Sequence, residues 1–152
     1  MTDEEFGASI FSPGEGRRVE ARGSEMFFKA VAATTRGRFS LMERSLPPGG
    51  RQPPPHVHVD TEEAFFVLEG DVTFRLGSDE AHGGPGTFVL VPGGVAHTFG
   101  NAAESVARVL VLHVPALDAY FEELAELWST ADPPSREQEF ELLKRHGMNP
   151  AE

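Results

Sequence analysis

Two histidines near the middle of the chain, His56 and His58, are separated by a single residue. In an extended strand, alternate side chains lie on the same face, about 6.5–7 Å apart. Two imidazoles placed in this way can bind one metal ion, with each ligand nitrogen about 2.0–2.1 Å from it. The pair alone is weak evidence of a metal site, because single core histidines are usually just packed and hydrogen-bonded.

A carboxylate and a third imidazole are available to complete such a site. Glu62 and Glu63 follow a short turn and face opposite sides of the next expected strand, so either could be the carboxylate ligand. His97 follows a Pro-Gly-Gly turn far along the chain, and only a folded sheet could bring it close. Three imidazoles and one carboxylate leave positions open on an ion that takes five or six ligands, as catalytic sites do.

Glycine, proline and asparagine residues around these side chains form a wider pattern. Its first half consists of Gly50, His56, His58, Glu63 and Gly70. Its second half consists of Gly86, Pro92, Gly94, His97 and Asn101. In residue type and spacing the chain resembles the two motifs of the cupin superfamily, over roughly residues 27–115. The resemblance selects Glu63 as the carboxylate ligand.

The chain around the motifs has the pattern of many short strands. Residues 72–76 alternate between apolar and polar side chains, the period of a half-buried strand. Turns rich in glycine and proline separate this segment from other short apolar runs, which favours an antiparallel sandwich or barrel. The resemblance implies an all-β, antiparallel jelly-roll barrel with the metal inside, near one mouth. We predict an N-terminal arm over residues 1–22 and the cupin barrel over residues 23–115.

A helical period replaces the strand pattern in residues 116–152, which we expect to form a two-helix tail. Six apolar residues share one face of the first helix: Leu117, Tyr120, Phe121, Leu124, Leu127 and Trp128. Ser135 and Gln138 form a capping box that begins the second helix. We expect the tail to pack on the barrel or on a second subunit, and we favour a homodimer. We expect a chain truncated before Leu117 to aggregate or to change its oligomeric state. Because all motif residues precede Leu117, any soluble fraction should still bind metal.

Composition excludes several other classes of function. The net charge is −11 and the basic residues are scattered, so nucleic acid and anionic membranes are poor partners. The chain has no cysteine, which excludes disulfides and thiolate ligands and fits a reducing cytoplasm. We find no signal-peptide pattern and no apolar run long enough to span a bilayer. We therefore expect a cytoplasmic protein whose partner is a small-molecule substrate or ligand.

The resemblance extends to small single-domain cupins of the quercetin 2,3-dioxygenase type and implies oxygen chemistry. One divalent transition metal ion would be bound by His56, His58, Glu63 and His97, and Fe, Mn, Ni, Cu and Zn all suit such ligands. Glu63 would also act as the catalytic base, taking a proton from a substrate hydroxyl or enol. An apolar lining from Phe65, Val67 and Phe99 would favour an aromatic or otherwise hydrophobic substrate.

Two other classes of function remain open. The ion could act as a Lewis acid in a non-oxidative isomerase, lyase or polyketide-cyclase-like enzyme. Alternatively, the barrel could be a non-catalytic module that binds a small molecule.

Four further polar residues require an interpretation. We expect His113 to be a packed strand residue, with a pocket acid or base as the alternative. We expect His82 to be solvated in a glycine-rich loop, and His146 to lie at a helix C-terminus, where the helix dipole favours it. Asp60 is interpreted as a turn residue, although it could orient a ligand histidine.

Overall fold

The computed structural model describes residues 7–49, 52–130 and 132–151, so the motif residue Gly50 lies outside the described part. The strands are β1 (Arg17–Ala21), β2 (Ser24–Ala30), β3 (Ser40–Leu46), β4 (His56–His58), β5 (Glu62–Glu69), β6 (Val72–Leu76), β7 (Asp79–Gly83), β8 (Phe88–Val91), β9 (His97–Gly100), β10 (Ala107–Val114) and β11 (Met148–Pro150). The helices are α1 (Ala32–Thr35), α2 (Asp118–Leu127) and α3 (Arg136–Arg145). None of these helices has the length and apolarity needed to cross a membrane.

The strands form two antiparallel sheets. One has the order β1-β2-β3-β10-β5-β8, and the other has the order β11-β4-β9-β6-β7. Side chains alternate between the interior and the outer surface, as in β10, where Val109 and Val111 are buried and Leu110 and Leu112 are less so. This arrangement confirms the predicted all-β jelly-roll fold.

The core lies between the two sheets and extends to the position of Glu63 on β5. The ring of Phe65 lies 5.2 Å from that of Phe74 and 4.9 Å from that of Phe99, measured between centroids. Glu63 has the same parity on β5 as Phe65, so the pattern that builds the core also brings a carboxylate into the interior. Glu62 has the opposite parity and is exposed.

Two motif residues have the structural roles expected of them. Gly70 has a φ of 81°, and a Cβ added there would lie 2.8 Å from the Cα of Ala107. Asn101 donates from Nδ2 to the carbonyls of Leu46 (2.9 Å) and Ser105 (2.7 Å), and its Oδ1 accepts from the Ala103 amide (3.0 Å). Both residues therefore shape the connections between strands.

The tail packs against its own barrel. Leu117, Tyr120, Phe121 and Leu124 are buried, and the Phe121 ring lies 6.0 Å from that of Phe28 on β2. The apolar face of α2 is thus covered within one chain and does not require a second subunit, and the homodimer stays a prediction. The capping box at the start of α3 is confirmed by the Ser135 and Gln138 hydrogen bonds of 2.8 and 3.1 Å.

Two strands lie in the segments expected to flank the barrel. β1 falls within the predicted arm and pairs with β2. β11 follows α3 within the tail and pairs with β4, so that Met148 lies opposite His58 and Pro150 opposite His56. The barrel therefore includes residues from both ends of the chain, and the tail supports the strand that carries two of the predicted metal ligands.

Candidate metal centre

Four buried side chains from both sheets converge inside the barrel. The metal cluster, as we call it, consists of His56, His58, Glu63 and His97, whose ligand atoms all lie within 4.8 Å of one another. His56 on β4 is the register partner of His97 on β9, and Glu63 comes from β5 in the facing sheet. Each member is at most 5% exposed. The structure thus brings together all four residues that the sequence selected.

The hydrogen bonds of the imidazoles leave nitrogens free to bind a metal. Nδ1 of His56 lies 2.8 Å from the Pro54 carbonyl, and Nδ1 of His97 lies 2.9 Å from the Val95 carbonyl. Because a carbonyl can only accept, each Nδ1 carries the proton and each Nε2 keeps its lone pair.

Several of the buried nitrogens have no hydrogen-bond partner among the described residues. They are Nε2 of His97 and both ring nitrogens of His58. Nε2 of His58 is 3.2 Å from a Glu63 oxygen, within ion-pair distance but without the alignment of a hydrogen bond. Buried polar atoms without partners are costly, and a metal ion would satisfy them. The cluster therefore fits a metal ion and could hold one.

A fifth side chain, His113, belongs to the same site. It is 1% exposed and lies directly opposite Glu63 in the pairing of β10 with β5. Its Nε2 donates a hydrogen bond to Oε2 of Glu63. The interpretation of His113 as only a packed strand residue is wrong, and the alternative, a position in the pocket, is the observed one.

The site holds Glu63 and His56 in the protonation states that metal binding needs. Burial alone would raise the pKa of Glu63, but the imidazole of His113, followed by those of His58 and His97, holds it well below its usual range. Burial lowers the pKa of His56 from 6.5 to about 3. For His97, burial is outweighed by the Glu63 carboxylate, which raises the pKa. At neutral pH Glu63 is thus ionised and His56 is neutral, as ligands must be.

We expect the metal-free protein to lose stability on acidification because of His56. Between pH 7 and pH 5 the unfolded chain gains a proton at His56 while the folded chain does not, since the folded pKa is about 3. This lowers the free energy of unfolding by about 2 kcal/mol over that range. Denaturant unfolding at both pH values should show a smaller decrease for His56→Asn than for the wild type. Equal decreases in the two proteins would contradict the assignment.

A small cavity of about 20 Å³ adjoins the metal cluster. Besides cluster residues, its walls include Arg22, Arg44, Phe99, Tyr120, Phe121 and Met148. Of the three apolar side chains expected to line the site, Phe99 does so. The expectation is wrong for Phe65 and Val67, which are buried in the core and do not line this cavity. The volume has room for about one water molecule.

An open pocket of about 710 Å³ lies on the outer side of this inner cavity. Arg22, Pro53 and Phe99 line both spaces and separate them. The outer pocket is large enough for a small-molecule ligand, which typically needs roughly 300 Å³ or more. It is therefore the natural approach to the metal cluster.

The remaining polar candidates lie outside the site. His82 is exposed, but it lies on β7 rather than in a loop, and its Nδ1 is 3.2 Å from Oγ1 of Thr73. Nε2 of His146 contacts the Glu123 carboxylate, which joins the end of α3 to α2. Asp60 is an exposed bend residue.

Comparison with known protein families agrees with this geometry. The sequence model of the family described as Cupin domain matches residues 42–113, which include the whole metal cluster. The chain contains a cupin domain. Members of this superfamily commonly bind metal, in agreement with the free imidazole nitrogens described above.

Individual relatives of the cupin domain are distant. Quercetin 2,3-dioxygenase from Bacillus subtilis (strain 168) is 26% identical over 117 residues, which are 77% of this chain but only 34% of that protein. The chain thus spans about a third of the length of this relative.

Solved structures share the fold. KdgF from Halomonas sp. is similar with a TM-score of 0.64 at 18% identity, covering 74% of this chain and 98% of that one. The polyketide cyclase RemF from Streptomyces resistomycificus is similar with a TM-score of 0.61 at 24% identity, covering 71% of this chain and 80% of that one.

Proposed function

We propose that this cupin domain is a metal-dependent enzyme of the dioxygenase type that acts on a small enolisable or aromatic organic molecule. It would bind one divalent transition metal ion through the four residues of the metal cluster. Two features together carry the proposal. Buried imidazole nitrogens have no hydrogen-bond partner among the described residues, and an ionised carboxylate lies beside them at the wall of a cavity. The similarity to quercetin 2,3-dioxygenase supports the oxidative form of the chemistry.

The chain's own side chains supply the proton chemistry of the proposed reaction. A bound metal ion would supply a redox-active centre with open coordination positions. Glu63 is ionised and can take a proton from a substrate hydroxyl or enol at one carboxylate oxygen. His113 donates a hydrogen bond to Oε2 of Glu63 and so holds the carboxylate in one orientation. The apolar side chains of Phe99, Phe121 and Met148 line the cavity beside the reacting atoms.

A non-oxidative activity is the second candidate, and the Glu63–His113 pair favours it. A carboxylate and an imidazole in direct contact can move a proton between two carbons of a substrate without oxygen. The similarity to a polyketide cyclase is in line with such isomerase, lyase or cyclase chemistry. A redox-inert metal such as zinc would then be sufficient as a Lewis acid.

We predict that Glu63→Gln abolishes oxygen consumption by the iron, manganese or nickel form. With flavonols or 1,3-diketones as substrates, the rate should fall at least about 100-fold, since loss of a general base typically costs that much. An oxygen electrode measures the rate, and elemental analysis of each sample corrects it for metal content. Glu62→Gln is the matched control, because Glu62 is the exposed neighbour on the same strand.

Two outcomes would contradict the dioxygenase proposal. Metal-dependent turnover under strict anaerobiosis would favour the isomerase, lyase or cyclase activity. Tight binding of a small molecule without turnover in any metal form would instead favour a binding module.

We also propose that the protein forms a homodimer in the cytoplasm. Phe66 and Phe88 are register partners on β5 and β8, and both are exposed, at 42% and 61%. β8 is the edge of its sheet, so a second copy could cover this apolar face. The absence of cysteine fits a reducing compartment.

A further inference from the structure

Two buried arginines lie beside the metal cluster. Arg22 is 5% exposed and Arg44 is 2% exposed. Both line the inner cavity together with His56, His58 and Glu63. Arginine is rarely buried to this extent without an anionic partner.

Arg22 has one carboxylate partner and one nitrogen without a partner. Its Nε donates to Oε1 of Glu139 at 2.9 Å, and the same oxygen accepts from Nε1 of Trp128 at 3.0 Å. Its Nη2 is buried and makes no hydrogen bond to any described residue. Arg22 also has a φ of 53° in the turn between β1 and β2, a region that non-glycine residues seldom adopt. A strained backbone that places a charged side chain beside a cavity is typical of binding sites.

Arg44, on β3, has no carboxylate within ion-pair distance among the described residues. Its Nε donates to Oγ of Ser24 at 2.9 Å, and the guanidinium carbon lies 5.1 Å from the centroid of the Phe99 ring. Burial, and then the positive charge of Arg22, lower the pKa of Arg44 to about 10. Arg44 is thus a buried cation held close to a second one.

Two buried carboxylates face the two guanidiniums, but neither is within ion-pair distance of Arg44, and the charge of Glu63 acts on it only from farther away. Glu139 is paired with Arg22, and Glu63 is surrounded by the imidazoles of the metal cluster and His113. The Tyr120 hydroxyl also lines the cavity, and burial raises its pKa, so it is neutral at pH 7. Arg44 therefore has no carboxylate in direct contact among the described residues, and a metal ion bound by Glu63 would leave its charge uncompensated unless a ligand supplies an anion.

We propose that Arg22 and Arg44 form an anion subsite that binds the carboxylate of a small organic acid, whose reactive end lies at the metal cluster. Guanidinium groups match the planar geometry of a carboxylate and bind it through two parallel hydrogen bonds. The inner cavity of about 20 Å³ admits only a small part of the acid, so the rest of the molecule would extend into the outer pocket of about 710 Å³. Because Arg22 also lines the outer pocket, it meets the acid as it enters. The reaction of this acid rests on the proposed function, whereas its binding does not.

A matched pair of enolisable probes tests the subsite. Acetoacetate and acetylacetone are similar in size and both enolise, but only acetoacetate carries a carboxylate. Their binding to the metal-loaded protein can be followed at constant ionic strength by calorimetry. Fluorescence gives a second readout, since Trp128 is the one tryptophan and contacts the partner of Arg22.

Arg44→Met should weaken the binding of acetoacetate at least about tenfold, the usual effect of losing a hydrogen bond to a charged group. Its affinity for acetylacetone should stay within about twofold of the wild type. Arg44→Lys keeps the charge but not the planar fork, so it should restore part of the affinity for acetoacetate. Arg75→Met is the matched control, because Arg75 is an exposed arginine that lines only the outer pocket.

Thermal unfolding of the ligand-free proteins separates a binding role from a structural one. An arginine kept to bind an anion is unfavourable in the absence of that anion, so Arg44→Met should have an unchanged or higher Tm. A lower Tm together with equal losses of affinity for both probes would show that Arg44 is structural and would overturn the proposal. Three other results would overturn the proposal as well. Arg44→Met could bind acetoacetate as tightly as the wild type does, chloride could displace acetoacetate as well as a carboxylate does, or the wild type could fail to bind acetoacetate. Failure to consume oxygen would overturn only the proposed function.

Discussion

Replacing His97 by alanine should reduce the metal content of the purified protein at least about tenfold, because one of four ligands in a buried site is lost. The fold should survive, since the ring's one hydrogen bond to a described residue is to the Val95 carbonyl and its other nitrogen has no partner. Elemental analysis measures the metal, and circular dichroism measures the fold.

His82→Ala is the matched control for this experiment. His82 is exposed on β7 and lies outside the metal cluster, so its loss should leave metal content unchanged. A His97→Ala protein that keeps the wild-type metal content would show that the metal cluster is not the coordination site. A His82→Ala protein that loses metal would point to adventitious surface binding instead.

Truncation before Leu117 should abolish both folding and metal binding. Leu117, Tyr120, Phe121 and Leu124 are buried against the barrel. Each is worth about 1.5–3 kcal/mol, so together they approach the entire free energy of unfolding of a typical domain, about 5–15 kcal/mol. The motifs alone predict that any soluble fraction still binds metal, but the cut also removes β11, the strand that pairs with β4. Light scattering and elemental analysis of the soluble fraction measure the two effects.

A shorter deletion, after Arg145, separates the two effects. It keeps α2 and α3 but removes β11, the strand that pairs with β4. We expect this protein to stay largely folded while losing metal affinity, because His56 and His58 are then on a strand with one free edge. A soluble, monodisperse chain that is truncated before Leu117 and keeps full metal content would show that the tail is an independent appendage.

The metal cluster could be predicted because its residues stand in a recognisable pattern. His56 and His58 share a strand face by spacing alone, whereas Glu63 and His97 were selected by the resemblance to the cupin motifs. The turn at Gly70 and the capping box at Ser135 are likewise short patterns with one favoured geometry.

The remaining parts of the site depend on which segments become neighbours. His113 has inward parity on β10, but nothing near it in the sequence indicates that Glu63 lies opposite. β11 is three residues long, too short to show a period. Arg22 and Arg44 were missed because a charged residue in a strand pattern is ordinarily assigned to the outer face. A signal for Arg22 was present in the dipeptide Arg22-Gly23, since a glycine at this place marks a tight hairpin turn.

The pairing of β11 with β4 has a consequence for the order of events during synthesis. The ligands His56 and His58 leave the ribosome long before Met148, and at about 5–20 residues per second the delay is several seconds. Once β9 has followed, β4 has a partner on one side only until β11 arrives, and its free edge can pair with other nascent chains. A metal ion bound before β11 pairs with β4 would be held by ligands on a strand that has only one of its two neighbours. A chaperone that shields this edge, or a metal supply that acts after release, would therefore increase the yield of loaded protein.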